Sequence, residues 1–261
     1  MKYLFSCWDN LKKDIKNKNI FLFLDYDGTL TPIADTPDKA VISRKTKGIL
    51  ERLSRIPKFR LAIISGRALS DIKNLVGIEG IIYTGNHGLE IEGEKIKFRS
   101  PVFEYSKVII RKIKNDLSKK ISHFKGAFIE DKGLTLSLHY RLMDKNNISS
   151  LKNIFNDTIQ PYLIEKKIRV TMGKKVLEVR PPLKWDKGKV VLWLLAKQRL
   201  KDEIFPIYLG DDVTDEDAFF ALRGKGLTIF VGKPKRSYAQ YYLRNTQEVL
   251  EFLERILLCL N

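Results

Sequence analysis

Two short acidic clusters each follow directly on an apolar run. In FLFLDYDGTLTPI (21–33), Asp25 and Asp27 lie two residues apart where the apolar run ends. Side chains alternate along an extended segment, so both carboxylates start on the same side. Gly28 lets the chain turn away tightly. Two neighbouring negative charges need a cation, and oxygen ligands suit Mg²⁺. The plainer alternative is a solvated D-x-D-G turn. IYLGDDVTDEDAF (207–219) repeats the layout with Gly210, Asp211, Asp212 and Asp215. Asp215, Glu216 and Asp217 also read as acids complementing a first helical turn. That does not account for Asp211 and Asp212 directly after a strand.

Two further segments carry polar and positive groups. ISGR (64–67) puts Ser65 at another strand end, followed by Gly66, with turn N–H groups able to meet phosphate. Ser65 reads equally well as a helix-capping serine. WDKGK (185–189) puts Lys187 at a helix start, where an ammonium beside backbone N–H groups can clamp phosphate. Among 48 Lys and Arg, however, a single lysine is most simply surface charge.

Alternating strands and helices must position these groups. Apolar runs at 20–24, 61–65 and 81–83 predict buried parallel strands. Helices are expected over 43–56 and 70–76, and EIEGEKIKF (90–98) predicts a hairpin turning at Gly93. A helical stripe of Val108, Ile109, Ile113, Leu117 and Ile121 opens a different middle section. Strands AFIED and LTLSLHY, a helix over 147–159, and a hairpin around Gly173–Lys174 follow. This αββαββ order predicts an antiparallel sheet with helices on one side. The last third returns to α/β alternation: a helix from Asp186, strands at 207–209 and 227–231, and a helix over 215–222. The N-T-Q-E run at 245–248 resembles a capping box opening the final helix. An amphipathic helix is expected before Asn19. The whole reads as an α/β core with a parallel sheet, residues 1–104 and 183–261, interrupted by an α/β cap at 105–182.

Composition excludes several classes. Apolar residues make up 44% of 261, ample for a core and too many for a disordered chain. Cys7 and Cys259 cannot build a disulfide framework, and no C-x-x-C pair offers a zinc site. No apolar run approaches a membrane span, and the first residues lack signal-peptide features, so a cytoplasmic location without membrane attachment is expected. The net charge of +17 invites a nucleic-acid reading. Residues 105–182 hold about 17 basic and about 7 acidic side chains, so the excess concentrates there. Yet the lysines are scattered along amphipathic segments, with no nucleic-acid motif. A solvated surface that attracts anionic substrates is the simpler reading, with no nucleic acid as partner.

Together, D-x-D-G-T, the serine after the second strand, the lysine and the G-D-D or G-D-x-x-x-D cluster resemble the haloacid dehalogenase superfamily of phosphatases. The resemblance implies a Rossmann-like core and Asp25 as nucleophile, forming an aspartyl-phosphate. It implies Asp27 as general acid and then base. Mg²⁺ would be held by Asp25, Asp211 and the backbone carbonyl of Asp27, with Asp212 or Asp215 completing the sphere. Ser65, Gly66 and Lys187 would hold the phosphoryl oxygens.

GNHGLE (85–90), EDKGLTLSLHYR (130–141), GKKVLEVRP (173–181) and the motifs above are similar to those of trehalose-6-phosphate phosphatases, over about residues 20–250. By that resemblance Glu130, Lys132 and Glu178 would grip the sugar from the cap, and Arg67, Asn86 and His87 would line the core side. Closure of the cap would then exclude water from the reacting phosphate. Other readings stay open from the residues alone. Glu178 in V-L-E-V-R could face solvent, Arg141 and Arg180 could be edge-strand charges, and His87 a turn residue. His139 is a weaker candidate, and His123 reads as a surface residue. Rival substrates are sucrose 6-phosphate, glucosylglycerol phosphate and a mannosylglycerate phosphate; a non-catalytic sugar-phosphate sensor is a rival of another class. A separate synthase is expected to supply the substrate.

Overall fold

A computed structural model describes residues 1–16, 18–173, 175–198 and 204–260. It divides into a first unit, Met1–Phe98 with Trp185–Asn261, and a second, Arg99–Lys184. The strands run β1 (Lys2–Tyr3), β2 (Asn19–Asp25), β3 (Phe59–Ile64), β4 (Ile82–Gly85), β5 (Glu90–Gly93) and β6 (Ile96–Arg99). They continue as β7 (Phe128–Asp131), β8 (Leu136–His139), β9 (Arg169–Gly173), β10 (Val176–Arg180), β11 (Ile204–Gly210), β12 (Leu227–Val231) and β13 (Tyr241–Leu243). The helices are α1 (Trp8–Ile15), α2 (Arg44–Ser54), α3 (Leu69–Val76), α4 (Phe103–Ile121), α5 (Ile148–Ile164), α6 (Lys187–Ala196), α7 (Glu216–Ala221) and α8 (Thr246–Leu260).

The first unit is built on one sheet, ordered β1-β13-β12-β11-β2-β3-β4-β5-β6. Pairings from β1 through β4 are parallel, and β5 pairs antiparallel with β4. Alternation along β2 explains why residues 20–24 are all apolar. Ile20, Leu22 and Leu24 join the core under α1, α2 and α8, while Phe21 and Phe23 join the core beneath α6 and α7. A strand covered on both faces has no polar side to show. From β2 the chain moves outward through β3 and β4, then returns on the other side through β11 and β12. The strand order reverses between β2 and β11, and such a switch point is where α/β sheets bind ligands, beyond the carboxyl ends of the strands. Asp25 ends β2, and Asp211 follows β11 directly.

One local expectation is corrected. The hairpin turns at Glu94–Lys95, not at Gly93. Gly93 closes β5 because a Cβ there would press on Ile82 of β4. The helix expected over 215–222 is α7, Glu216–Ala221, entered through a 3₁₀ turn at Val213–Asp215. Of the expected turn at Gly173–Lys174, Gly173 closes β9 and Lys174 lies outside the described residues. The two short strands β1 and β13 have no counterpart in the sequence reading.

The second unit is an antiparallel sheet ordered β7-β8-β10-β9 with α4 and α5. Leu136, Leu138, Leu177 and Val179 pack with Ile109, Ile113 and Leu117 of α4 and Leu151 and Phe155 of α5. Register places Glu130 and Glu178 on either side of Ser137, and Thr171 opposite Glu178. These four residues form one row across the sheet on the face away from the helices. Among the described residues, no helix is long and apolar enough to cross a membrane.

Candidate active site

The site is organised by Lys187, the first residue of α6. The helix is started by Asp186, whose side chain accepts the N–H of Lys189 at 2.9 Å. The Lys187 ammonium donates to Asp25 Oδ1 and to Asp215 Oδ1, each at 2.6 Å. Burial alone would lower its pKa, but the Asp215 and Asp25 carboxylates outweigh that and raise it, so Lys187 stays protonated. The same burial raises the pKa of Asp25; Lys187 pulls it down, while Asp215 and Asp211 push it up. Lys187 is therefore not a surface charge: it is 3% exposed.

Asp215 is fully enclosed, and both of its oxygens are committed. Oδ1 accepts Lys187 and the Tyr208 hydroxyl, the latter at 2.7 Å. Oδ2 accepts the backbone N–H groups of Asp211 at 3.1 Å and Asp212 at 3.0 Å. Asp212 in turn caps the 3₁₀ turn through Val213 N–H at 2.7 Å. Asp215 thus shapes the Asp211–Asp212 loop and holds Lys187. Tyr208 is a member of this network that sequence reasoning missed. A usable signal existed: in I-Y-L-G-D the tyrosine alternates onto the α6 and α7 face, the face Phe21 and Phe23 also occupy. Burial and Asp215 raise its hydroxyl pKa well above the usual value, so it remains a donor.

Asp25, Asp211 and Asp215 each offer an oxygen within 4.8 Å of one another. All three are buried, and Lys187 bridges two of them. An all-oxygen donor set of this kind fits a hard divalent cation. The approach of Asp211 depends on Gly28, which has φ +91°, because a Cβ there would collide with the Asp211 carboxylate. Gly210 likewise leaves room for the side chain of Asp215.

The ISGR turn forms the other side. Ser65 is buried, and its Oγ accepts the N–H of Arg67 at 3.1 Å. It does not cap α3, whose preceding residue is Ala68. Arg67 grips Asp27 with both arms: Nε to Oδ2 at 2.8 Å and Nη2 to Oδ1 at 2.7 Å. Asn86 and His87 sit in an adjacent turn with φ of 51° and 56°, a region side chains other than glycine seldom adopt. The turn is held by Asn86 N–H to Arg67 carbonyl (2.7 Å), His87 N–H to Ser65 carbonyl (2.9 Å) and Asn86 Nδ2 to Glu90 (3.0 Å). Trp185 donates to the Gly88 carbonyl at 2.9 Å, tying this turn to the start of α6. The His87 ring lies over Gly66, so close that a Cβ there would stand 2.6 Å from its Cε1 and Nε2.

In the second unit, Glu130, Lys132 and Glu178 are brought together. Lys132 Nζ donates to Glu178 Oε1 at 3.1 Å and lies 3.8 Å from Glu130 Oε2. Glu178 does not face open solvent; it is 7% exposed. His139 joins the cluster, Nε2 lying 2.7 Å from Glu130 Oε2 with its ring stacked on Phe128. Arg180 is buried on the inner strand β10, with Nε 4.0 Å from Glu178, and is not an edge charge. Arg141 and His123 are exposed.

The family model described as trehalose-phosphatase matches residues 23–247. An Arabidopsis thaliana protein named "Probable trehalose-phosphate phosphatase H" is 39% identical over 259 residues, covering 92% of this chain and 72% of its own length. Trehalose-phosphate phosphatase B of the same plant is 36% identical, covering 96% and 70%. Among solved structures, the C-terminal domain of Candida albicans trehalose-6-phosphate phosphatase superposes with a TM-score of 0.80 at 26% identity, covering 95% of this chain and 96% of that one.

Proposed function

The chain belongs to the trehalose-phosphatase family, and from that premise we propose that it hydrolyses trehalose 6-phosphate to trehalose and phosphate with Mg²⁺ and Asp25 as nucleophile. The observation that carries this reading is the buried Asp25–Lys187–Asp215 bridge, with Asp211 offering an oxygen within 4.8 Å of both carboxylates. Asp25, Asp211 and the Asp27 carbonyl would hold the metal, with Asp212 beside them. Asp215, already met by four donors, would act by holding Lys187 and the loop. When bound, the cation supplies charge neutralisation of the phosphoryl oxygens, the main demand of phosphoryl transfer.

In the first step a carboxylate oxygen of Asp25 forms a bond to phosphorus as the bond to the sugar oxygen breaks. Protonated Asp27 gives its proton to that oxygen, and trehalose leaves. In the second step water attacks phosphorus, the acyl-phosphate bond breaks, and the water proton goes to Asp27. Phosphate departs with Asp25 ionised and Asp27 protonated again. Lys187 and Ser65 Oγ, with the Gly66 backbone, would position the phosphoryl oxygens. Glu130, Lys132 and Glu178 would bind sugar hydroxyls, which pair well with carboxylates and ammonium groups. Asn86 and His87 would assist from the turn beside Ser65. A cytoplasmic setting suits the two free cysteines, Cys7 and Cys259. A separate synthase would supply the phosphorylated disaccharide.

The test is phosphate release from trehalose 6-phosphate, sucrose 6-phosphate, glucosylglycerol phosphate and glucose 6-phosphate, with Mg²⁺ or chelator, for wild type and Asp25→Asn. Preference for trehalose 6-phosphate, lost with chelator and with D25N, supports the reading. Preference for another ester removes the substrate assignment and leaves the Asp25 chemistry. Release that survives D25N removes both.

A further inference from the structure

We propose that Arg67 is the positioning residue of Asp27, fixing the carboxylate that moves the proton, rather than a residue that grips substrate. This rests on the assignment of Asp27 as acid and base made above. The geometry is asymmetric. Arg67 is 7% exposed, whereas the Asp27 side chain is 43% exposed. A loop carboxylate this open rotates about two torsions unless something holds it. The guanidinium holds it in a fork, one arm to each oxygen at 2.8 and 2.7 Å. A bidentate pair fixes the plane as well as the place of the carboxylate.

The guanidinium is itself fixed from several sides. Nη2 also donates to the Pro37 carbonyl at 2.8 Å, and the group lies over the Tyr26 ring at 5.3 Å. Its backbone N–H is held by Ser65 Oγ at 3.1 Å, and its carbonyl accepts the Asn86 N–H at 2.7 Å. The turn proposed to hold phosphate therefore also fixes the base of the arm that orients the acid. Arg67 further stabilises the carboxylate that Asp27 becomes once its proton has gone to the sugar oxygen. Lysine would keep the charge and lose the fork.

The experiment compares two leaving groups. A sugar alkoxide needs a proton to leave, whereas p-nitrophenolate does not. Leaving-group release in the pre-steady-state burst, which reports the first step alone, is measured for wild type, R67K, R67Q, D27N and R67K/D27N. Thermal melts check that each variant is folded. General acid catalysis is worth about 10²–10⁴-fold, and misplacement of the acid by an ångström costs about 10²-fold. The expected result is a loss of about 10²-fold for R67K on trehalose 6-phosphate, at least about tenfold larger than its loss on p-nitrophenyl phosphate. R67Q should match R67K, and R67K should cost nothing further in the D27N background. Equal loss on both esters with a raised KM would make Arg67 a phosphate ligand and overturn the proposal. So would an R67K enzyme that keeps full activity on the sugar ester while D27N loses it. If D27N itself shows no dependence on leaving group, the acid assignment falls, and this inference falls with it.

Discussion

The Asp211 carboxylate occupies the space beside Gly28 that the Cβ of any other residue would fill. Two segments 183 residues apart, the D-x-D-G turn and the G-D-D loop, therefore meet at van der Waals contact. Gly28→Ala adds one carbon at the worst point and also places a side chain at φ +91°. We expect kcat to fall by about a hundredfold or more, with a Tm lowered by a few degrees. Steady-state phosphate release and a thermal melt of the same preparation check this.

Tyr208→Phe removes one of the four donors to Asp215 and changes nothing else in shape. A hydrogen bond to a charged, enclosed acceptor contributes about 1.5–3 kcal/mol. The variant should fold, lose stability of about that size in urea, and turn over about three- to tenfold more slowly through a less firmly held Lys187. A variant as active and as stable as wild type would remove Tyr208 from the network's function.

Metal removal should act on stability as well as rate. Without a cation, the Asp25, Asp211 and Asp215 carboxylates, with oxygens within 4.8 Å of one another, repel. In chelator, Asp25→Asn should therefore melt at a higher temperature than wild type, by several degrees. Each kcal/mol is about 2–4 °C for a chain of this size. Added Mg²⁺ should raise the wild type more than the variant, closing the gap.

Glu178→Gln tests the second unit. It weakens the hold on Lys132, whose ammonium lies 3.1 Å from Glu178. KM for trehalose 6-phosphate should rise about tenfold or more, since a charged hydrogen bond is worth about 1.5–3 kcal/mol. KM for p-nitrophenyl phosphate, which has no sugar, should stay within about twofold. Equal increases for both esters would remove the sugar role.

Tyr26 predicts an alkaline transition. Its hydroxyl donates to the Ala40 carbonyl at 2.8 Å, and burial, opposed by Arg67 and aided by Asp27, pushes its pKa up to about 12. The unfolded value is 10.0. Between pH 10 and pH 12 the folded chain holds a proton that the unfolded chain has lost, so stability falls as pH rises through that window. Tyr26→Phe should be less stable at neutral pH, through loss of the hydrogen bond, and should show a shallower decline across the same range. Urea titrations at stepped pH measure both.

Much of this fold was legible because burial writes itself into single stretches. The apolar run of β2 announces a strand covered on both faces, and the carboxylates after it announce where the sheet ends. Lys187 reads from its residues alone as surface charge, and only the family resemblance draws it to the site. What could not be read lay across chain separations that leave no local trace. Nothing in S-G-R says that Arg67 turns toward Asp27, 40 residues away. Tyr208 looks like any aromatic in a strand until its hydroxyl finds Asp215. The strands β1 and β13, two and three residues long, are too short to show a period. Gly93 looked like a turn because glycine often marks one; here it serves close packing against β4.

The placement of β11 beside β2 has a consequence for biosynthesis. One edge of β2 is covered by β3 within about forty residues of synthesis, but its other neighbour is made only after the whole second unit has emerged. At roughly 5–20 residues per second, that edge waits about ten to forty seconds on the ribosome. The intervening unit pairs only among its own strands and can fold meanwhile. An open, wholly apolar edge is a template for wrong pairing. Yield in a cell should therefore depend on chaperones that shield nascent chains, and slowing translation after residue 184 should lower the soluble fraction.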